Sequence, residues 1–201
     1  MSVRAGSSAP LDTGPRPGER LLATATSLFD REGIRAVGIE RLIAEAGVAR
    51  ASLYQAFGSK DALVVAYLEQ ADRADRERYA QAVRGLDGEP GERVATFFRL
   101  AQRSMRRRRY RGCLYINAAT EFPEPDHPVH RVVADHRAWQ HAEFVAAARQ
   151  AGAAEPERVG TRLQVLYDGA LVGAKAARDL MPIAEAAAVA AEQLPGSPGA
   201  G

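Results

Sequence analysis

Gly47 stands between two short segments with helical patterning, and that junction restricts the fold more than any other feature of the chain. Residues 39–46 read I-E-R-L-I-A-E-A. Leu42, Ile43 and Ala46 fall at helical spacing on one side, with Glu40, Arg41 and Glu45 on the other. Glycine enters the left-handed backbone region at little cost, so one helix can end at Gly47 and the chain can turn sharply. The spacing predicts a second helix over residues 50–57, within three residues of the turn. Two short helices joined in this way describe a helix-turn-helix, whose second helix lies in the major groove of DNA. The local charge agrees: from Val48 to Lys60 the charged residues are Arg50 and Lys60, and there is no acid.

Length and composition narrow the setting. A chain of 201 residues with 46% hydrophobic content holds one or two domains and buries a real core. A formal net charge of +2 excludes a histone-like polycation and suits a local basic face. Of the 27 basic residues only Lys60 and Lys175 are lysine, a bias that with the many Ala and Gly suggests a GC-rich bacterial genome. The single cysteine, Cys113, rules out an internal disulfide framework. No charged-then-apolar leader opens the chain and no apolar run approaches a membrane span. A soluble cytoplasmic protein without a membrane partner is expected.

The rest of the chain reads as helix after helix. Residues 1–18, rich in Ser, Gly and Pro, are expected to form a disordered arm. The first helix is placed over 19–32, with Leu21, Ala25, Leu28 and Phe29 as its apolar stripe and Gly33 as its cap. Ser59 is a good N-cap for a fourth helix that becomes highly charged after Gln70 and fades by Gly85. Residues 85–91 form a loop, and a helix over 92–106 follows. A basic run, Arg106 to Arg109 with Arg111, reads as a solvated linker. Further helices are expected over 113–121, 130–151, 156–180 and 182–194, before a loose tail at 195–201. No segment shows strand alternation. The expectation is an all-α fold of about nine helices.

The helix-turn-helix region resembles the DNA-binding domain of TetR-family transcriptional regulators from about Glu19 to Leu68. The first helix carries L-L-A-T-A-T-S-L-F-D-R-E-G, where the family typically shows A-x-x-L-F-x-x-x-G. The L-I-A-E-A-G-V helix and turn, A-S-L-Y-Q-A-F, and S-K-D-A-L opening the fourth helix complete the pattern. The chain departs from it at Gly38, where Thr is common, at Ala51, where Gly is common, and at Gln55 or Ala56, where an aromatic or His is frequent. The resemblance implies a DNA-binding domain over 19–65, a helical regulatory and dimerisation domain over 66–194, operator DNA as partner, a homodimer and a small-molecule effector. It also implies that Tyr54 touches a backbone phosphate. Arg50 suits guanine or phosphate, Gln55 adenine, Ser52 phosphate, and Lys60 a phosphate at a helix start. Ile39, Ala49 and Ala51 complete the expected DNA-contacting set.

In the larger part, Phe97, Phe98, Tyr115, Asn117, Trp139, Tyr167 and Asp168 combine apolar bodies with polar tips, as ligand cavities do. Asn117 and Asp168 stand out because each sits in an apolar helical stretch and would need a partner if buried. His127, His130, His136 and His141 fall within fifteen residues; they are read as ordinary surface or core residues, and no metal or other cofactor is expected. Cys113 reads as a small core residue. Gly169, Ala170, Gly173, Ala174 and Ala177 give one helix side small enough for a close crossing, which suits the dimer interface the family forms. A helical enzyme or small-molecule carrier is the rival reading. Against it, the chain lacks a Gly-rich phosphate loop, H-E-x-x-H, a nucleophile elbow and a Cys/His pair at catalytic spacing, so no catalytic residue is expected.

Overall fold

The computed structural model describes residues 14–106 and 111–195. Among these residues there are nine helices and no strand: α1 Pro17–Glu32, α2 Ile39–Ala46, α3 Arg50–Phe57, α4 Lys60–Ala82, α5 Pro90–Met105, α6 Leu114–Glu121, α7 Val129–Gln150, α8 Pro156–Ala177 and α9 Met181–Glu192. The all-α expectation holds. Of the expected arm, basic run and tail, residues 1–13, 107–110 and 196–201 lie outside the described residues.

Local chemistry sets most of the helix ends. Helices α1, α5, α8 and α9 carry Pro in their first two positions, where a missing N–H costs nothing. Helix α1 therefore starts at Pro17, two residues before the expected Glu19. Ser59 caps α4 by accepting the Ala62 N–H at 3.0 Å. Gly47 ends α2 in the left-handed conformation, with φ 61° and ψ 42°. Other ends depart from expectation too: α5 starts at Pro90, inside the expected 85–91 loop, because Pro suits a first helical position. Helix α8 stops at Ala177 rather than near residue 180, because Arg178 takes a left-handed φ of 55°. A non-glycine residue seldom does this, so nothing in the side-chain pattern announces it.

Two apolar cores organise the helices. The first gathers α1 to α4 around Leu21, Leu28, Leu42, Leu53 and Leu63, and takes in Tyr115, Phe122 and Val132 from α6, its C-terminal edge and α7. The second joins Tyr79 and Val83 to α5, the later part of α7, α8 and α9 around Phe97, Phe98, Phe144, Leu163 and Ile183. Helix α4 serves both: Leu63, Val64, Tyr67 and Leu68 lie in the first core, and Tyr79 lies in the second. It is a continuous rod of 23 residues, about 35 Å at 1.5 Å per residue.

Helices α7 and α8 pack closely at Gly160. A Cβ there would collide with the side chain and backbone of Val145. Of the small-residue side expected at a dimer interface, part packs within the chain and part is open. Gly173 meets Pro182, whereas a Cβ on Gly169 would meet nothing within 4 Å, and Gly169 is exposed.

Candidate nucleic-acid interface and internal cavity

The helix-turn-helix is built by its turn and one buried residue. Val48 N–H donates to the Ile43 carbonyl at 3.1 Å, closing the turn across Gly47. Leu53 is fully buried and fixes the rotation of α3, and Phe57, four residues on, packs partly against the same core. That rotation leaves Arg50, Ala51, Tyr54 and Gln55 exposed, with Ser52 half-buried and Ala49 exposed at the N-cap. Tyr54 is the one large apolar side chain among the described residues of α1 to α4 that is exposed. Ile39 is half-buried and packs against the first core.

The polar groups of this face hold each other loosely. The Arg50 guanidinium lies 5.9 Å from the Tyr54 ring centroid, donates to the Tyr54 hydroxyl at 3.5 Å and pairs with Glu40. These partners, Tyr54 first, hold its pKa above the usual arginine value. The ion pair is exposed on both sides, so solvent screens it and exchange for a phosphate costs little. Lys60 is half-buried and spends one of its three donors on the Ile34 carbonyl at 3.0 Å; burial pulls its pKa down. Lys60 thus braces the loop that leads into α2 as well as standing at the start of α4.

That loop is also gripped from the other side. Glu121, the last residue of α6, accepts the Arg35 N–H at 2.7 Å. Arg35 reaches Glu124 at 3.4 Å and lies over the Phe122 ring. The Tyr67 hydroxyl donates to Asp30 at 2.5 Å, and burial pushes the Tyr67 pKa upward.

Between the two cores lies a cavity of about 720 Å³. Its apolar wall is aromatic. Tyr79 stacks on Phe97 with centroids 4.1 Å apart, Trp139 lies 5.7 Å from Phe97, and Tyr167 lies 6.0 Å from it. Its polar wall is a set of closed pairs. The Tyr115 hydroxyl donates to Asp75 at 2.7 Å, and Arg78 pairs with the same carboxylate. Arg137 grips Asp168 through two bonds of 3.0 and 2.6 Å, which hold the guanidinium pKa above its usual value. His136 meets Asp72 at 2.8 Å and stacks on Tyr115 at 3.6 Å. Burial lowers the His136 pKa, so the ring is neutral near pH 7, with Nδ1–H donating to the carboxylate.

Five of the seven residues expected at a ligand site line this cavity: Phe97, Tyr115, Trp139, Tyr167 and Asp168. Phe98 does not; it is 1% exposed and packs its ring against Tyr167 within the second core. Asn117 does not either. Its amide donates to the Arg111 carbonyl at 2.9 Å and its oxygen accepts from Lys175 at 2.8 Å, which answers its need for partners without a ligand. Sequence reasoning missed Asp75, Arg78 and His136. A signal existed: Asp72, Asp75 and Arg78 recur at three-residue spacing, which puts them on one side of α4. The four histidines divide among three neighbourhoods. His127 stacks on Phe122, His130 meets the Phe122 carbonyl, His136 faces the cavity, and His141 meets Thr161. Among the described residues no group of three His, Cys, Asp or Glu side chains is placed to hold a metal ion. Cys113 lies on the cavity wall, where burial pushes its thiol pKa up.

Apolar exposure is concentrated elsewhere. Apart from Tyr54, the exposed large apolar side chains of the described residues are Val165, Val172, Met181 and Val189, all on α8 and α9. Among the described residues no helix is long and apolar enough to cross a membrane.

Comparison with known proteins agrees with this geometry. Residues 21–67 match the family model of bacterial regulatory proteins of the tetR family. A TetR-family transcriptional regulator from Streptomyces coelicolor is 36% identical, with 85% of this chain covering 94% of that one at a TM-score of 0.75. A TetR-type regulator from Streptomyces avermitilis is 31% identical, with coverage of 86% and 98% and a TM-score of 0.72. The transcriptional repressor NemR of Escherichia coli is 28% identical over 104 residues, 51% of this chain and 52% of NemR. The match thus spans about half the length of that curated relative. The crystal structure of reduced NemR shares the fold, with a TM-score of 0.79 over 90% of this chain and 98% of that one at 23% identity. With more than 30% identity across nearly the whole of two such regulators, the chain belongs to the TetR family of DNA-binding transcriptional regulators.

Proposed function

We propose that this regulator is a repressor, not an enzyme, that binds a two-fold operator as a homodimer in the cytoplasm and leaves it when a small molecule fills the cavity. The observation that carries this reading is the course of α4. Its first turn stands beside α3 with Ser59 and Lys60, and its later turns wall the cavity with Asp75, Arg78 and Tyr79. Helix α6 supports it as a second link, because Tyr115 lines the cavity and Glu121 holds the loop before α2. A ligand that prefers a conformation with these helices displaced weakens DNA binding by that preference and no more.

Each side chain then has a role. Arg50, Ser52, Tyr54 and Lys60 contact phosphates or, for Arg50, guanine; Gln55 reads a base; and Ala49 and Ala51 allow close approach of α3 to the groove. Ile39 supports the face from the core side and brings the N-terminus of α2 toward the backbone. The functional division follows, with DNA binding over residues 19–65 and regulation and dimerisation over 66–194. The exposed Val165, Val172, Met181 and Val189 supply the dimer contact, and Gly169 among them lets a partner helix approach closely. The similarity to a protein named as a repressor supports the sign of regulation.

Footprinting of the promoter upstream of its own gene tests the reading. Two protected half-sites related by a two-fold axis are expected, with centres at least one helical turn, roughly 34–36 Å, apart. Val165→Glu with Val172→Glu should give a folded monomer with greatly weakened operator binding. Protection of one asymmetric half-site by a monomer overturns the model.

A further inference from the structure

We propose that the cavity takes a planar aromatic acid, with its ring against Tyr79, Phe97 and Trp139 and its carboxylate at Arg103. The inference rests on the regulator reading above and names the chemical class of its effector. A volume of about 720 Å³ accommodates a one- or two-ring molecule. The aromatic wall favours a flat, polarisable body, because offset and edge contacts between rings add to simple burial.

The sign of the charge follows from which wall groups are already used. Every carboxylate on the wall is held by donors. Asp30 accepts from Tyr67, Asp75 from Tyr115 and Arg78, and Asp168 from Arg137 and Gln164. Asp75 and Asp168 are already neutralised by Arg78 and Arg137, and Asp30, whose partner is the neutral Tyr67 hydroxyl, stands on α1, outside the helices that carry the aromatic wall. The wall cations differ. Arg78 and Arg137 are paired, but Arg103, exposed in the last turn of α5 beside Ser104, has no ion-pair partner among the described residues. An anion is therefore the charged group that finds an unpaired partner on the aromatic helices, since Arg103 shares α5 with Phe97. Arg suits a carboxylate because its planar fork offers two parallel N–H donors.

The test uses three probes with one ring system: 1-naphthoate, 1-naphthamide and 1-naphthylmethylammonium. Binding to the full chain is read by the emission of Trp139, the single Trp. Release of operator DNA is followed separately by fluorescence anisotropy. The acid should bind about tenfold more tightly than either partner compound. Arg103→Gln should remove most of that preference and leave the amide unchanged, and Phe97→Leu should weaken all three. Equal or tighter binding of the amide or the ammonium overturns the proposal, as does acid binding unaffected by Arg103→Gln or no binding by any probe. The two readings fail differently. Arg103-dependent acid binding that leaves DNA bound would refute ligand-driven release and keep the site, whereas release by the ammonium alone would do the reverse.

Discussion

The face of α3 and the cavity beneath it are both polar sites, but their polar groups are in opposite states. On α3 the Arg50 pair with Glu40 and its contact with Tyr54 are open to water. On the cavity wall Asp75 and Asp168 are partly buried, and each is closed by a matched donor. Under the proposed function, the reason is the size of what each site meets. Duplex DNA brings many charges that compete with weak exposed pairs, so a loosely held arginine can change partner at small cost. A small molecule brings one or two polar groups, so a cavity discriminates only if most of its own groups are already satisfied.

The strongest way to break the comparison is to remove the buried residue that orients the DNA face. Leu53→Ala should cost roughly 2–5 kcal/mol of stability by loss of transfer energy and creation of a cavity. DNA affinity should fall with it, while the cavity pairs, which lie outside its contacts, keep their chemistry. Chemical denaturation alongside ligand binding measured by Trp139 emission checks both halves. A stability loss below about 0.5 kcal/mol would mean that α3 is oriented by something other than Leu53.

Substitution on the exposed face should separate binding from folding. Arg50→Ala should weaken operator binding by about 1–3 kcal/mol if it grips guanine, and change stability by no more than about 0.5 kcal/mol. Gln55→Ala should relax preference at one base pair per half-site by a similar amount. Selection on randomised operators together with thermal melts gives both numbers, and an unchanged base preference removes Gln55 from the reading set.

The cavity pairs should behave in the opposite way, through pH. His136 is neutral in the fold because burial lowers its pKa, against the opposing pull of Asp72 and Asp75. The unfolded chain then binds a proton that the folded chain refuses as pH falls below the usual histidine value of about 6.5. Stability contributed by the neutral ring is thus complete above that value and declines below it, until the folded ring also titrates. His136→Phe should remove this slope and lose about 1–2 kcal/mol near pH 7, since Asp72 keeps only Arg76. Urea titrations of both proteins between pH 5 and 8 settle it; parallel curves would exclude His136.

The smallest effect belongs to the N-cap of α2. Gly38 has φ −79° and ψ 160°, caps no N–H with a side chain, and a Cβ there would meet nothing within 4 Å. Gly38→Thr should gain a few tenths of a kcal/mol by capping α2. It should also strengthen DNA binding at low salt if its hydroxyl reaches a phosphate. A melt and a salt titration compare the two contributions.

What was legible in the amino-acid order depended on distance along the chain. The turn at Gly47, the cap at Ser59, the stripe of α1 and the L-Y-x-x-F spacing of α3 involve partners within a few residues. Helical periodicity therefore placed Leu53 inward and Tyr54 outward directly. The aromatic members of the cavity were also readable, since large rings with polar tips are conspicuous in Ala-rich helices. Their partners were not. Asp75 meets Tyr115 forty residues away, and Asp72 meets His136 sixty-four residues away. Only the crossing of α4 with α6 and α7 makes those pairs. The same distance explains why Asn117, which looked like a ligand group, is taken by Lys175. It also explains why four histidines close in sequence divide among three neighbourhoods, at Phe122, Tyr115 and Thr161. Residue spacing alone determined an all-helical chain with a helix-turn-helix near its start. Helix packing decided which polar groups became satisfied, that Gly160 meets Val145 closely, and where a cavity remains, because burial and pairing are properties of contacts between segments far apart in the chain.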